Sequence, residues 1–168
     1  MASFGERMAT AIEQAGVKVA SSVPDNWLAP VIERLSASTR VAHAPAAREE
    51  DAVGICFGAA LAGVRAVALM QNSGALNTGN TLATLGVAYG VPAVLIVCDR
   101  GHLGDVTIAH IEKARTFRPF LKALKLSYYE LSPDFDVRDE MNAAFQMAEL
   151  SQRPVVLLLT KSTVEVPS

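Results

Sequence analysis

The residues able to do chemistry gather in a few places. Gln71-Asn72-Ser73-Gly74, followed by Asn77-Thr78, puts amides, hydroxyls and bare backbone directly after the apolar run Val67 to Met70. A helical pattern (Leu82, Leu85) follows, so the cluster sits at the carboxyl end of a strand, where open α/β sheets bind ligands. No side chain from Ala66 to Cys98 is charged. A segment this apolar, broken by clustered Gln, Asn and Ser, describes a buried wall with a few placed hydrogen-bonding groups, the construction of a small-molecule site. Pro24-Asp25-Asn26 and Asp99-Arg100-Gly101-His102 also follow apolar runs. In a parallel sheet the three loops share one edge and can converge on one ligand. Taken singly, Asp25, Asn26, Asn77 and Thr78 read as helix caps; taken together, the loops favour a site.

A second kind of chemistry is signalled by Arg48-Glu49-Glu50-Asp51, which opens a helix whose body, Ala52 to Leu61, is apolar on every face. Three acids in a first turn suit the helix dipole. A helix apolar all round is buried, however, so this turn is expected near the core or an interface, where a carboxylate needs a partner or an elevated pKa. Each acid heads its own apolar stripe, so periodicity does not choose among them. Gly54, Gly58 and Ala62 form a smooth ridge on which another backbone can pack.

Other chemistries find no support. His43, His102 and His110 lack metal-ligand spacing, so no metal site is expected; His102 belongs to a candidate loop, and His43 and His110 read as structural. Ser73 lies in no nucleophile elbow, and neither a dinucleotide fingerprint nor a P-loop occurs. Cys56 and Cys98 read as buried thiols in a reducing compartment. A net charge of −2 gives no reason to expect nucleic acid or an anionic membrane, and Arg115, Arg118, Lys122 and Lys125 read as a solvated helix face. No uninterrupted membrane-length apolar stretch and no signal-peptide core are visible, so a cytoplasmic protein is expected.

These groups must be positioned by alternating elements. Helices are expected over residues 2–15 (stripe Phe4, Met8, Ile12, Ala15), through Leu28, Val31, Ile32 and Leu35, over 46–62, 78–89 and 136–150, with a further helical region broken at Pro119. Strands are expected over 17–22, from Val41, and over 64–70, 91–98, 125–131 and 154–160. Hydrophobic residues make up 51% of the chain and charged residues 19%, enough apolar surface for a substantial core. Alternating βα units with continuously apolar strands predict one α/β domain over residues 1–168: a doubly wound, mostly parallel six-stranded sheet with helices on both faces, flavodoxin-like.

At three segments the sequence resembles the pyrimidine-binding (Pyr) domain of thiamine-diphosphate-dependent decarboxylases, in the group acting on sulfopyruvate and phosphonopyruvate. Val23-Pro24-Asp25-Asn26 is similar to a "VPDS"-like loop, with Asn26 where serine is common. Arg48 to Cys56 is similar to the segment carrying the family's glutamate. Met70-Gln71-Asn72-Ser73-Gly74 is similar to an "MQNSG" signature, although Ala75-Leu76 replaces the usual Leu-Gly after it. The family pattern E-x-x-A-x-x-x-A-x-G-x-A falls on Glu49, Ala52, Cys56, Gly58 and Ala60, with Cys56 in an alanine's place.

The resemblance, rather than the periodicity, therefore singles out Glu49. It implies that Glu49 shares a proton with N1′ of the aminopyrimidine, and that the cofactor carries the decarboxylation as an electron sink. It implies cofactor contacts from Glu49, Gln71, Asn72, Ser73, Gly74 and Asn77. Substrate contacts are implied from Asp25, Asn26, Asn72 and Ser73, with Arg100 and His102 candidates for the anionic end. The family holds Mg²⁺ and diphosphate through a motif opening with G-D-G and closing with Asn-Asn, on a PP domain. Here Gly104-Asp105 is followed by Val106 and no Asn-Asn occurs. The expectation is a partner β subunit carrying the PP domain, with assembly to at least α2β2 and active sites between chains. The favoured substrate is sulfopyruvate, then phosphonopyruvate or another small 2-oxo acid. A non-catalytic flavodoxin-like module is the alternative from another class.

Overall fold

The computed structural model describes residues 3–105, 107–132 and 137–165; the expected helix starts at Ala2 and Asp136, and Val106, lie outside them. Six strands, β1 (Val19–Ser22), β2 (Ala42–Pro45), β3 (Ala66–Gln71), β4 (Val94–Cys98), β5 (Ser127–Glu130) and β6 (Val155–Leu159), form one sheet in the order β2-β1-β3-β4-β6-β5. Every pairing is parallel. The doubly wound α/β reading holds.

The sheet is covered on both faces because its central strands, β3, β4 and β6, are apolar and buried along almost their whole length. Along β3, Val67 and Leu69 point into a cluster with Met8, Ile12, Leu35 and Phe145. Their neighbours Ala68 and Met70 point into the opposite cluster, with Val53, Phe57, Phe117 and Leu121. Helices α1 (Phe4–Gln14), α2 (Ala29–Ala37) and α7 (Val137–Ser151) therefore cover one face; α3 (Glu49–Leu61) and α6 (Ile108–Ala123) cover the other. Capping chemistry starts α1: Ser3 accepts from Glu6 N, and Glu6 returns a bond to Ser3 N. A final turn, α8 (Lys161–Val164), follows β6.

Three local expectations are corrected. The MQNSG residues are not a loop: Asn72 begins helical backbone at once, as α4 (Asn72–Ala75), a 3₁₀ turn (Leu76–Thr78), α5 (Gly79–Thr81) and a π-helical stretch (Leu82–Ala88). Neither Asn77 nor Thr78 caps a helix; Thr78 Oγ1 donates back to the Ala75 carbonyl at 2.7 Å. Helix α6 runs through Pro119 unbroken, since the proline lies on its exposed side while Ala114, Phe117 and Leu121 anchor the other. Finally, α3 buries only Ala52, Val53, Cys56 and Phe57. Ile55 and Leu61 are exposed, and nothing stands over Gly54 or Gly58. Half of this apolar helix is thus open in the chain by itself.

Candidate active site at the sheet's switch point

β1, β3 and β4 are neighbours in the sheet, so the loops at their carboxyl ends are neighbours too. Between β1 and β3 the winding direction reverses, and the crevice beyond such a switch point is where doubly wound folds bind ligands. All three sequence-predicted clusters meet there.

Glu49 is the first residue of α3, reached from the end of β2 through Ala46 to Arg48. Of the three acids, Glu50 pairs with Arg48 at 3.1 Å and Asp51 is exposed. Glu49 is half-buried, and its carboxyl lies directly against the Cα of Gly74, where a Cβ would overlap it. A larger residue at Gly74 would displace the Glu49 side chain from this position. Among the described residues Glu49 has no hydrogen-bonding or ion-pair partner, which leaves its oxygens for a ligand. Glu49 is therefore the acid of the three placed against the Gly74 turn.

Asp25 and Arg100 form a buried ion pair at 3.2 Å, their side chains 4% and 13% exposed. Asp25 also accepts from Trp27 N at 2.8 Å, while Leu28 occupies the cap position of α2, so the carboxylate closes its own turn rather than capping the helix. The Arg100 guanidinium stacks 3.8 Å over the Trp27 ring. Burial, followed by the adjacent Asp25 carboxylate, pushes the Cys98 thiol well above its usual range. Burial likewise pushes Cys56 up to about 12. Both cysteines are free and buried, as expected.

Asn72, fully buried, joins the β3 and β4 loops: its Nδ2 donates to Asp99 Oδ1 at 3.1 Å and to the Arg100 carbonyl at 2.8 Å. Asp99 Oδ2 takes His102 Nε2 at 2.8 Å and Arg118 Nε at 2.9 Å. Gly101, at φ +94°, lets its loop pass against the His110 backbone where no side chain fits. Gln71 and Ser73 are half-buried beside Asn72, whereas Asn26 and Asn77 are exposed at the rim. His43 and His110 have structural partners, Ser22 and Ser36 for the first and Asp105 for the second.

Of this cluster, sequence reasoning passed over Trp27, named Asp99 only as part of its loop, and read Arg118 as a solvated helix face. Asp99 carried a usable signal, a carboxylate placed directly after a wholly apolar strand. Arg118 carried none and is corrected here. It turns inward from α6 to bridge Asp99 and Glu130 rather than facing solvent, and those carboxylates raise its pKa against the burial that lowers it.

The site can accommodate an aminopyrimidine cofactor in chemical terms: a half-buried carboxylate without a protein partner, a glycine floor beside it, and a buried amide oxygen of Asn72 that also has none. Among the described residues no group of three His, Cys, Asp or Glu side chains could hold a metal ion, and no helix is long and apolar enough to cross a membrane.

Comparison with known proteins defines the class. Residues 2–110 match the family described as thiamine pyrophosphate enzyme, N-terminal TPP binding domain, and the chain belongs to it. It is 31% identical over 157 residues to the sulfopyruvate decarboxylase subunit alpha of Methanothermobacter thermautotrophicus, covering 94% of this chain and 95% of that one. It is 33% identical over 90 residues to the phosphonopyruvate decarboxylase of Streptomyces viridochromogenes, covering 54% of this chain but 23% of that one. Among solved structures it resembles a 2-oxoglutarate:ferredoxin oxidoreductase from Magnetococcus marinus. The TM-score is 0.78 at 14% identity, over 97% of this chain and 29% of that one, a likeness that establishes the fold alone.

Proposed function

We propose that this chain is the pyrimidine-binding α subunit of a two-subunit thiamine-diphosphate-dependent decarboxylase acting on a small anionic 2-oxo acid, sulfopyruvate first. The observation that carries the reading is the Glu49 carboxyl, unpartnered and pressed on Gly74 at the switch-point crevice. A carboxyl so placed can exchange a proton with a ring nitrogen of an aminopyrimidine, which is general acid–base work. The cofactor, when bound, supplies the electron sink for decarboxylation. Gln71, Asn72, Ser73, Gly74 and Asn77 flank it, and Asp25, Asn26, Asn72 and Ser73 line the substrate space. Arg100 and the partly exposed His102, whose Nδ1 is turned from Asp99, take the sulfonate or carboxylate through charge-assisted bonds.

Mg²⁺ and the diphosphate are held by a β subunit carrying the PP domain, in an assembly of at least α2β2. The likeness to an alpha subunit over nearly the full length of both chains supports that division. Free, buried thiols suit a reducing, cytoplasmic setting. Phosphonopyruvate is the second substrate, supported by a likeness confined to about half of this chain.

The test is reconstitution with the adjacent-gene partner, thiamine diphosphate and Mg²⁺, comparing sulfopyruvate, phosphonopyruvate and pyruvate in one assay. The complex decarboxylates sulfopyruvate best, the chain alone decarboxylates none, and Glu49→Gln lowers kcat at least ~100-fold, the range of general acid–base contributions. Activity unchanged in Glu49→Gln would instead make the chain a non-catalytic module.

A further inference from the structure

The Asn72 amide cannot be turned over. Both partners of its Nδ2, the Asp99 carboxylate and the Arg100 carbonyl, are acceptors, so a reversed amide would set oxygen against oxygen at two contacts. Asp99 is in turn fixed from its other oxygen by His102 and Arg118. The consequence falls on Asn72 Oδ1. It is forced away from that network, buried, and without a partner among the described residues. Buried polar atoms without partners are rare, and this one can be satisfied only by a donor. The Glu49 carboxyl lies on Gly74, two residues further along the same turn.

We propose that Asn72 Oδ1 is a preset acceptor for an N–H or O–H donor of the bound reactants, and that Asp99 is the positioning residue that holds it so. This deepens, and rests on, the thiamine-diphosphate reading of the site. It narrows the role of Asn72, because a fully ionised 2-oxo acid presents only acceptor oxygens. The anionic end of the substrate is therefore not what Asn72 holds; that falls to the donors of Arg100 and His102. The donor meeting Asn72 is either the aminopyrimidine amino group or the substrate's 2-oxo oxygen once protonated.

The test uses Asp99→Asn, which can donate to Oδ1 and release the amide from its orientation, and Asn72→Leu, which removes the acceptor at similar volume. In ¹⁵N-labelled full-length chain, the Asn72 Nδ2 protons exchange with water at least ~10-fold more slowly than those of the exposed Asn26, Asn77 and Asn80, and Asp99→Asn erases the difference. In the reconstituted complex each variant weakens thiamine diphosphate binding at least ~10-fold if the amino group is the donor, or lowers kcat at least ~10-fold if the substrate oxygen is. In both cases KM for sulfopyruvate stays within about twofold, and the double variant is no worse than Asn72→Leu, as expected when one residue acts through the other.

A raised KM with kcat and cofactor affinity intact overturns the proposal, as do multiplying effects, unchanged kinetics in Asn72→Leu, or fast exchange in the wild-type chain. Should Asp99→Asn fail to fold, Asn72→Leu carries the kinetic arm alone. Absence of decarboxylation by the wild-type complex would sink the functional reading. The exchange rates and the thiamine diphosphate titration would then decide about Asn72.

Discussion

At the scale of single residues, the site depends on a side chain that is absent. Gly74 lets the Glu49 carboxyl rest on the backbone of α4, and a methyl group there would occupy the position of the carboxyl oxygens. Gly74→Ala is therefore expected to expel Glu49 from the crevice. Because the half-buried Glu49 side chain can swing aside, the chain's stability to urea should change little, while the reconstituted complex loses most of its turnover. If turnover survives with stability intact, Glu49 is not confined by this contact. The Asp25–Arg100 pair is a similar case in which removing one partner is worse than removing both. Asp25→Ala leaves a buried guanidinium with only the Trp27 face for company and should cost about 3–5 kcal/mol of unfolding free energy.

At the scale of elements, α3 behaves as two half-helices sharing one backbone. Its inner side carries Val53 and Phe57 into the core, and its outer side carries Gly54 and Gly58 with nothing against them. Glycine in an exposed helix interior is conformationally costly, so Gly58→Ala should stabilise the chain by itself by about 0.5–1 kcal/mol in thermal or chemical unfolding. Helix α7 supplies a pH signature. Burial raises the Glu140 carboxyl to about 7 from its ordinary 4.5, and its Oε2 has no partner among the described residues. The folded form thus prefers the protonated acid. The stability this contributes is complete below pH 4.5 and is lost as pH rises through about 7. Glu140→Gln should accordingly melt higher than wild type at pH 8, by less than about 4 °C because the group is partly exposed, and no differently at pH 4.

At the scale of the whole molecule, the open side of α3 lies on the helix that begins with Glu49, so whatever covers that ridge also brackets the crevice. Under the two-subunit reading this is where another chain packs. Gly54→Leu, at a position where an added Cβ meets no described atom within 4 Å, should leave the circular dichroism spectrum and melting temperature of the isolated chain nearly unchanged and abolish co-purification with the β subunit. A complex that still assembles would move the interface elsewhere.

Much of this was legible in the residues. Continuously apolar strands alternating with helical stripes dictate a parallel sheet buried on both faces, because no other arrangement hides side chains of both parities. Placing polar clusters after the first, third and fourth strands fixes the sheet edge at which they gather. The sequence could not show that these strands are neighbours, that Asn72 starts a helix, or that Pro119 lies harmlessly on an exposed side. It could not rank three consecutive acids either, since each headed an equivalent stripe. Those outcomes depend on contacts between residues far apart in the chain: Gly74 with Glu49, Asp99 with Arg118, Asp25 with Arg100. Local pattern sets what each element is and which of its sides is apolar. Only packing decides which polar groups end up sharing one buried space, and so which of them are left without a partner to meet a ligand.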